Sequence, residues 1–345
     1  MRAKAASAVV AVVLGLAVLA AGLQLAGYNA SEALGALWNG AFGSWYAISS
    51  ATLVRSVPLI IIGLGIALAF RAGALNIGAE GQFYAGAIAA TWVGLRLGAQ
   101  PSWIAIPGVL VAAALAGAMW VALPIWLKLR FSVLEVISTL LLNFVAEALV
   151  SLMVQGPLQE HQHIYPQSDS IAAVVRLPLL PGTRLHAGFL LALVGAVVLW
   201  YIFARTLWGF RLRAVGVSPR AAEISGRIDS RRMIALALAG SGALAGLAGG
   251  VEVSGVSYAL FQNLSPGYGF SGIAVALLAR LHPLGIIATG ILLGALEAGA
   301  SGMQRDAGVP AVAVYVVEAV VILVVLLADT SRLVGQDRTP RTAEL

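Results

Sequence analysis

The chain has 345 residues, of which 60% are hydrophobic and only 10% charged; it carries 39 glycines, a formal charge of +6 and no cysteine. A soluble domain of this size could not cover its surface with so little charge, so composition points to an all-α polytopic membrane protein. Cationic loops facing anionic lipid explain the positive excess without nucleic acid, and the missing cysteines exclude disulfide and thiolate chemistry.

At the start of the chain, Arg2 and Lys4 precede an apolar run that reaches Ala26. A cleaved secretory core is about 7–15 residues long, whereas a bilayer takes about 20, so this run reads as an uncleaved first span. At about 1.5 Å per helical residue, about ten spans fit the chain. They are 5–26, 49–70, 81–98, 102–127, 133–154, 187–204, 233–251, 270–279, 284–302 and 311–328. The stretch 27–48 reads as an external interfacial helix with Trp38 and Trp45, and 155–186 as a proline-bearing external segment. Trp92, Trp103, Trp126, Trp200 and Trp208 fall near span ends, the places an aromatic belt occupies.

Arg205 to Arg232 holds seven of the 19 arginines. With the N-terminus inside, sixteen Lys and Arg residues lie on the cytoplasmic side and five outside, which fixes both termini in the cytoplasm. Within this loop, Ser218 suits an N-cap, Pro219 a first helical turn and Gly226 a C-terminal cap. The pattern predicts a short helix over 219–225, either a docking element for a soluble partner or an ordinary capped turn.

The eighth span is anomalous, because ten residues give about 15 Å of helix, half the hydrocarbon thickness. It follows Asn263-Leu-Ser-Pro-Gly-Tyr-Gly269, and a similar break, Gly73-Ala-Leu-Asn-Ile-Gly-Ala-Glu-Gly-Gln82, lies before the third span. Non-helical backbone at membrane depth needs protein or a water-filled cavity around it, and a matched pair of breaks marks a transporter's substrate site. The offset of five spans predicts an inverted repeat of spans two to five and seven to ten.

A phosphate loop of the form GxxxxGK[ST] needs a lysine, and Lys4 and Lys128 follow no such pattern. The chain therefore hydrolyses no ATP by itself. Nor does it carry a Ser-His-Asp arrangement or an HExxH motif. Glu147, Glu297 and Glu318 lie at or within spans, where they either pair with protein groups or form the proton relay of a secondary transporter. His161 and His163 lack a carboxylate-rich ligand set, so no metal site is expected. Gly290, Gly294, Ala298 and Gly302 form a small-residue strip for close helix packing, within the chain or between two chains.

Ala221-Ala-Glu-Ile-Ser-Gly226 resembles the coupling helix of ATP-binding-cassette importer permeases. Phe70-Arg-Ala-Gly-Ala-Leu-Asn-Ile-Gly-Ala-Glu-Gly-Gln82 resembles a signature of their simple-sugar and nucleoside branch, as do Arg213-Ala-Val-Gly216, Gly240 to Gly249, Gly269 to Leu278 and Pro283-Leu-Gly285. The ordered set spans roughly 50–330 and leans toward nucleoside permeases. The resemblance implies a B12-importer-like (type II) architecture in a bacterial plasma membrane. It divides the chain into an N-terminal span with external segment (1–48), a permease domain (49–330) with coupling loop 205–232, and a tail (331–345). It also implies partner ATPase subunits that use ATP and Mg, a second, homologous permease chain, and an external binding lipoprotein or periplasmic protein.

On that reading Pro219, Ala221, Ala222, Glu223 and Gly226 engage the ATPase. Asn76, Glu80, Gln82, Asn143, Gln262, Asn263 and Phe270 are the candidate substrate contacts. Amides supply both donors and acceptors to a sugar or nucleoside, and Phe270 offers a ring face. Asn76 and Glu80 have a second reading as caps of the helix starting near Gly81, and Asn143 as a bond between helices.

Overall fold

The computed structural model describes residues 2–224, 228–313, 315, 316 and 319; for 2–12 and 311 only the backbone is described. The predicted Gly226 cap, Glu318, and most of the predicted last span and tail lie outside these residues. In chain order the helices are α1 (Arg2–Leu25), α2 (Ala30–Phe42), α3 (Leu53–Arg71), α4 (Ala79–Arg96), α5 (Ser102–Trp120), α6 (Ala122–Phe131), α7 (Glu135–Val154), α8 (Gly188–Arg205), α9 (Leu207–Val217), α10 (Pro219–Ile224), α11 (Ser230–Glu252), α12 (Tyr268–Leu278) and α13 (Pro283–Ala307). Among the described residues there is no strand, only two isolated bridges.

Six helical stretches among the described residues are long and apolar enough to cross a membrane: 47–71, 102–131, 135–154, 188–205, 230–257 and 283–307. Against the spans drawn from sequence, the fourth runs further, because α5 continues through a turn at Val121 into α6. The third, α4, falls outside this set, since its first turn carries Glu80, Gly81 and Gln82.

The chain divides into a central unit, residues 49–294, and a terminal unit, residues 1–48 with 295–345. In the terminal unit, Asn29 caps α2 by accepting from the Ser31 and Glu32 amides, and Ala33, Ala36, Leu37 and Ala41 form its buried face. Trp38, on α2, and Trp45, beyond its end, are exposed. Gly299 and Gly302 lie against the α2 backbone at Leu37, Ala36 and Gly40.

In the central unit, α11 packs against α3, α4 and α5. Without an aqueous driving force, helices in a membrane gain stability from close approach of small residues. A β-carbon on Gly86 would lie 2.1 Å from the Gly246 carbonyl oxygen, and one on Gly249 2.1 Å from that of Phe83, so α4 and α11 touch backbone to backbone. Gly117 of α5 meets Gly242 and Gly246 in the same way. In the small-residue strip, Gly290 and Gly294 lie against Ile60 and Ser56 of α3, which is packing within the chain.

Candidate functional site

The break between α3 and α4 turns at Gly73, whose φ of 74° suits a residue without a β-carbon. Its exposed backbone groups are taken up mainly by α7. The Leu75 amide donates to Glu135 Oε1 at 3.3 Å, and the Ile77 amide to Thr139 Oγ1 at 3.3 Å. Asn143 accepts from the Gly81 amide at 2.8 Å and donates to the Ile77 carbonyl at 3.0 Å. Glu135 is itself held by Lys128, 2.5 Å away. Spaced by one turn plus a fraction, these side chains lie along one side of the helix.

Asn76 and Gln82 exchange two amide hydrogen bonds, at 2.8 and 2.9 Å. Asn76 also donates to Ser241 Oγ of α11 at 2.9 Å and accepts from the Gly78 amide at 3.0 Å. Glu80 belongs to the first turn of α4, yet its carboxylate accepts from the Gly269 amide, at 2.6 Å, in the first turn of α12. The cap that sequence reading placed on the helix starting near Gly81 therefore serves the other interrupted helix. Two helix N-termini meet at one carboxylate, which their partial positive charges favour. A β-carbon on Gly269 would lie 2.2 Å from the Glu80 amide nitrogen, so the two helix starts touch.

Asn76, Glu80, Gln82 and Asn143 are thus buried and bonded to protein. Gln262 and Asn263 lie elsewhere, on a cavity of about 380 Å³ also lined by Tyr84, Phe144, Glu147 and Ser151. Asn263 is left-handed at φ 57°, a conformation asparagine tolerates. Gln262 donates to Ser151 Oγ at 2.6 Å, and the Tyr84 hydroxyl donates to the Ser265 carbonyl at 3.5 Å. Phe270 is half-exposed on α12 and does not line this cavity.

A second cavity, of about 290 Å³, is lined by Arg55, Arg184, Glu252, Tyr258 and Tyr268, among others. The α7–α8 connection lies beside it, pairing Ser168, Ile171 and Leu177 with the carbonyls of Leu260, Tyr258 and Ser254, each at 2.8 Å. Arg176 stacks 4.4 Å over the Tyr258 ring, and the Arg184 amide donates to Ser50 at 3.0 Å. Sequence reading missed Glu252, Ser241, Thr139 and Ser151. For Glu252 the signal existed: it is the last residue of α11, one position past the predicted span end.

The arginine-rich loop folds as α9 and α10. Ser218 accepts from the Ala221 amide at 3.3 Å, the predicted N-cap, and Ser230 Oγ donates to the Pro219 carbonyl at 2.9 Å. Ala222 faces inward, whereas Pro219, Ala221, Glu223 and Ile224 are exposed. The loop rests on the start of the first break: a β-carbon on Gly216 would lie 2.1 Å from the Arg71 carbonyl oxygen, and the Arg71 guanidinium sits 4.5 Å over the Phe203 ring. Arg213 donates to the Phe203 carbonyl.

Residues 48–326 match the family described as "Branched-chain amino acid transport system / permease component". The chain is 39% identical to the guanosine ABC transporter permease protein NupP of Bacillus subtilis, over 94% of each chain. It is 36% identical to the glucose ABC transporter permease protein TsgB13 of Haloferax volcanii, over 80% of this chain and 75% of that one. It is 34% identical to the nucleoside ABC transporter permease protein NupB of Lactococcus lactis, over 91% and 88%. The chain, a helical protein with membrane-length apolar helices, belongs to the family of branched-chain amino acid transport system permease components.

Proposed function

We propose that this chain is the permease subunit of an ATP-binding-cassette importer for nucleosides. The observation that carries the reading is the joint at Glu80 and Gly269 together with the cavity beside Tyr84. Two interrupted helices begin against each other, and about 380 Å³ of space nearby offers amides, a carboxylate and aromatic rings. A cavity of that size and chemistry suits a small hydrogen-bonding ring compound. Relatives named for guanosine and nucleosides add weight.

In this reading about ten spans form a B12-importer-like, inverted-repeat permease, whose halves meet where α4 and α12 start. The domain division is 1–48, 49–330 and 331–345, with both termini in the cytoplasm. Partner ATPase subunits bind ATP and Mg and press on Pro219, Ala221, Ala222, Glu223 and Gly226. Force passes from α10 through Gly216 and Arg71 to the break held by Asn76, Gln82 and Asn143, and through Glu80 to α12. Gln262, Asn263 and Phe270 remain the candidate substrate contacts, while the buried four act by shaping the path. A second, homologous permease completes the pathway, and an external binding lipoprotein delivers the substrate.

The relative named for glucose favours a second reading, a simple-sugar importer with the same machinery. The test is reconstitution of the chain with its neighbour-encoded ATPase, second permease and binding protein. ATP-dependent uptake of labelled nucleoside is expected. Uptake of hexose alone selects the second reading, and pH-gradient-driven uptake by this chain without an ATPase overturns both.

A further inference from the structure

One row of polar side chains on α7 recurs at every fourth position: Glu135, Thr139, Asn143, Glu147 and Ser151. Four of the five are engaged. The first three bond the backbone of the α3–α4 break, and Ser151 accepts from Gln262. Glu147 is the exception: it is exposed and makes no hydrogen bond or ion pair within the described residues. It does so on a helix with mean hydropathy 2.0 and the length to cross a membrane. Intramembrane carboxylates face a bundle interior, a partner group or a water-filled cavity, and Glu147 lines the cavity shared with Gln262 and Asn263.

The surroundings of Glu147 define the ligand. Gln262 gives one amide N–H to Ser151 and keeps its other N–H and its carbonyl oxygen, while the Tyr84 hydroxyl donates to the Ser265 carbonyl. Glu147 is the acceptor-only group among the polar side chains that line the cavity, and the rings of Phe144 and Tyr84 flank it. It suits a flat ring presenting hydrogen-bond donors. The two oxygens of a carboxylate match two N–H groups that lie side by side in one plane. Sugar hydroxyls are spread around a puckered ring and rotate to donate or accept, so they do not need a group that only accepts.

We propose that Glu147 reads the adjacent N–H donors of a guanine-type base, making this cavity a base-selecting station. The proposal rests on the nucleoside reading above and narrows it to one base edge.

The experiment is competition between guanosine and inosine, which lacks the exocyclic amine, for ATP-driven uptake by the complete reconstituted transporter. The binding protein's own preference is the same in every variant and cancels from the comparison. Glu147→Gln is expected to lower the guanosine-to-inosine uptake ratio about tenfold, the scale of one bidentate base contact. Glu147→Asp keeps the charge but withdraws the oxygens by one methylene, and it too is expected to lower the ratio. It carries the test if the glutamine variant does not assemble. An unchanged ratio in a complex that imports both nucleosides, or equal loss of the two, overturns the subsite and leaves the importer reading standing. A wild-type complex that takes hexose and neither nucleoside sinks both.

Discussion

Asn143 shows how one side chain satisfies the backbone that a broken helix leaves open. It satisfies the Gly81 amide and the Ile77 carbonyl together, two backbone groups the helix ladder leaves open. Asn143→Ala strands both in a buried place, at an expected cost of about 2–4 kcal/mol. Asn143→Asp keeps an acceptor for the Gly81 amide but sets an oxygen against the Ile77 carbonyl, so destabilisation is expected there too. Thermal unfolding of the purified complex measures both, and a wild-type midpoint for the alanine variant refutes the bracing role. His186, in the connection before α8, is fully buried and its ring nitrogens have no hydrogen-bond partner within the described residues; burial pushes its pKa down to about 4 from 6.5. The unfolded chain thus binds a proton that the folded one refuses, so stability is intact above pH 6.5 and declines as pH falls toward 4. The expected loss approaches about 3 kcal/mol, and it should be absent from His186→Leu in unfolding measured at pH 7.5 and pH 4.5. At this scale the sequence announces which side chains are polar and where glycine interrupts a helix. It does not announce their partners: Ser241 lies 165 positions from Asn76 and Gly269 lies 189 from Glu80.

Among the elements, α12 is the one whose shortness matters, with eleven residues beginning against α4. Gly269→Ala drives a β-carbon into the Glu80 backbone and is expected to separate the two helix starts. The measurement is uptake together with complex yield. Wild-type values for both remove the joint from the proposed path, whereas lost uptake in an assembled complex supports it. The short helix, its glycine- and proline-bearing lead-in and the capped turn at Ser218 were all readable, because caps and breakers act within a few residues. The length of the α5–α6 stretch was not, since a turn at Val121 leaves no hydropathy signal. The outward face of α10 was half readable: its small residues stand next to each other, but only packing decides that Ala222 turns inward.

At the scale of the whole molecule, the proposed mechanism requires the arginine-rich loop and the two breaks to move together. Gly216 against Arg71, the break after Gly73, and Glu80 against Gly269 supply a contiguous chain of contacts in the central unit. Such contiguity is a route for coupling and becomes a mechanism when perturbing one end changes the other. Glu223→Arg, on the exposed side of α10, is expected to leave ATP hydrolysis running while uptake falls about tenfold or more, the uncoupling a misfitted docking charge produces. Uptake and hydrolysis measured in the same vesicles decide it; unchanged stoichiometry removes α10 from the route.

Long uncharged runs separated by basic loops made this chain a membrane protein before any folding was considered, because the bilayer judges each segment by its own hydropathy. Its glycine-rich interruptions and its family signatures were likewise written locally. Folding chose which distant groups would answer each interruption, with α7 bracing the first break and Glu80 capping the second. Among the described residues it also left Glu147 without a hydrogen bond, unlike the rest of its row. That choice belongs to packing: a buried polar group takes whichever partner the approach of two helices brings within reach, and a linear pattern carries no record of that approach.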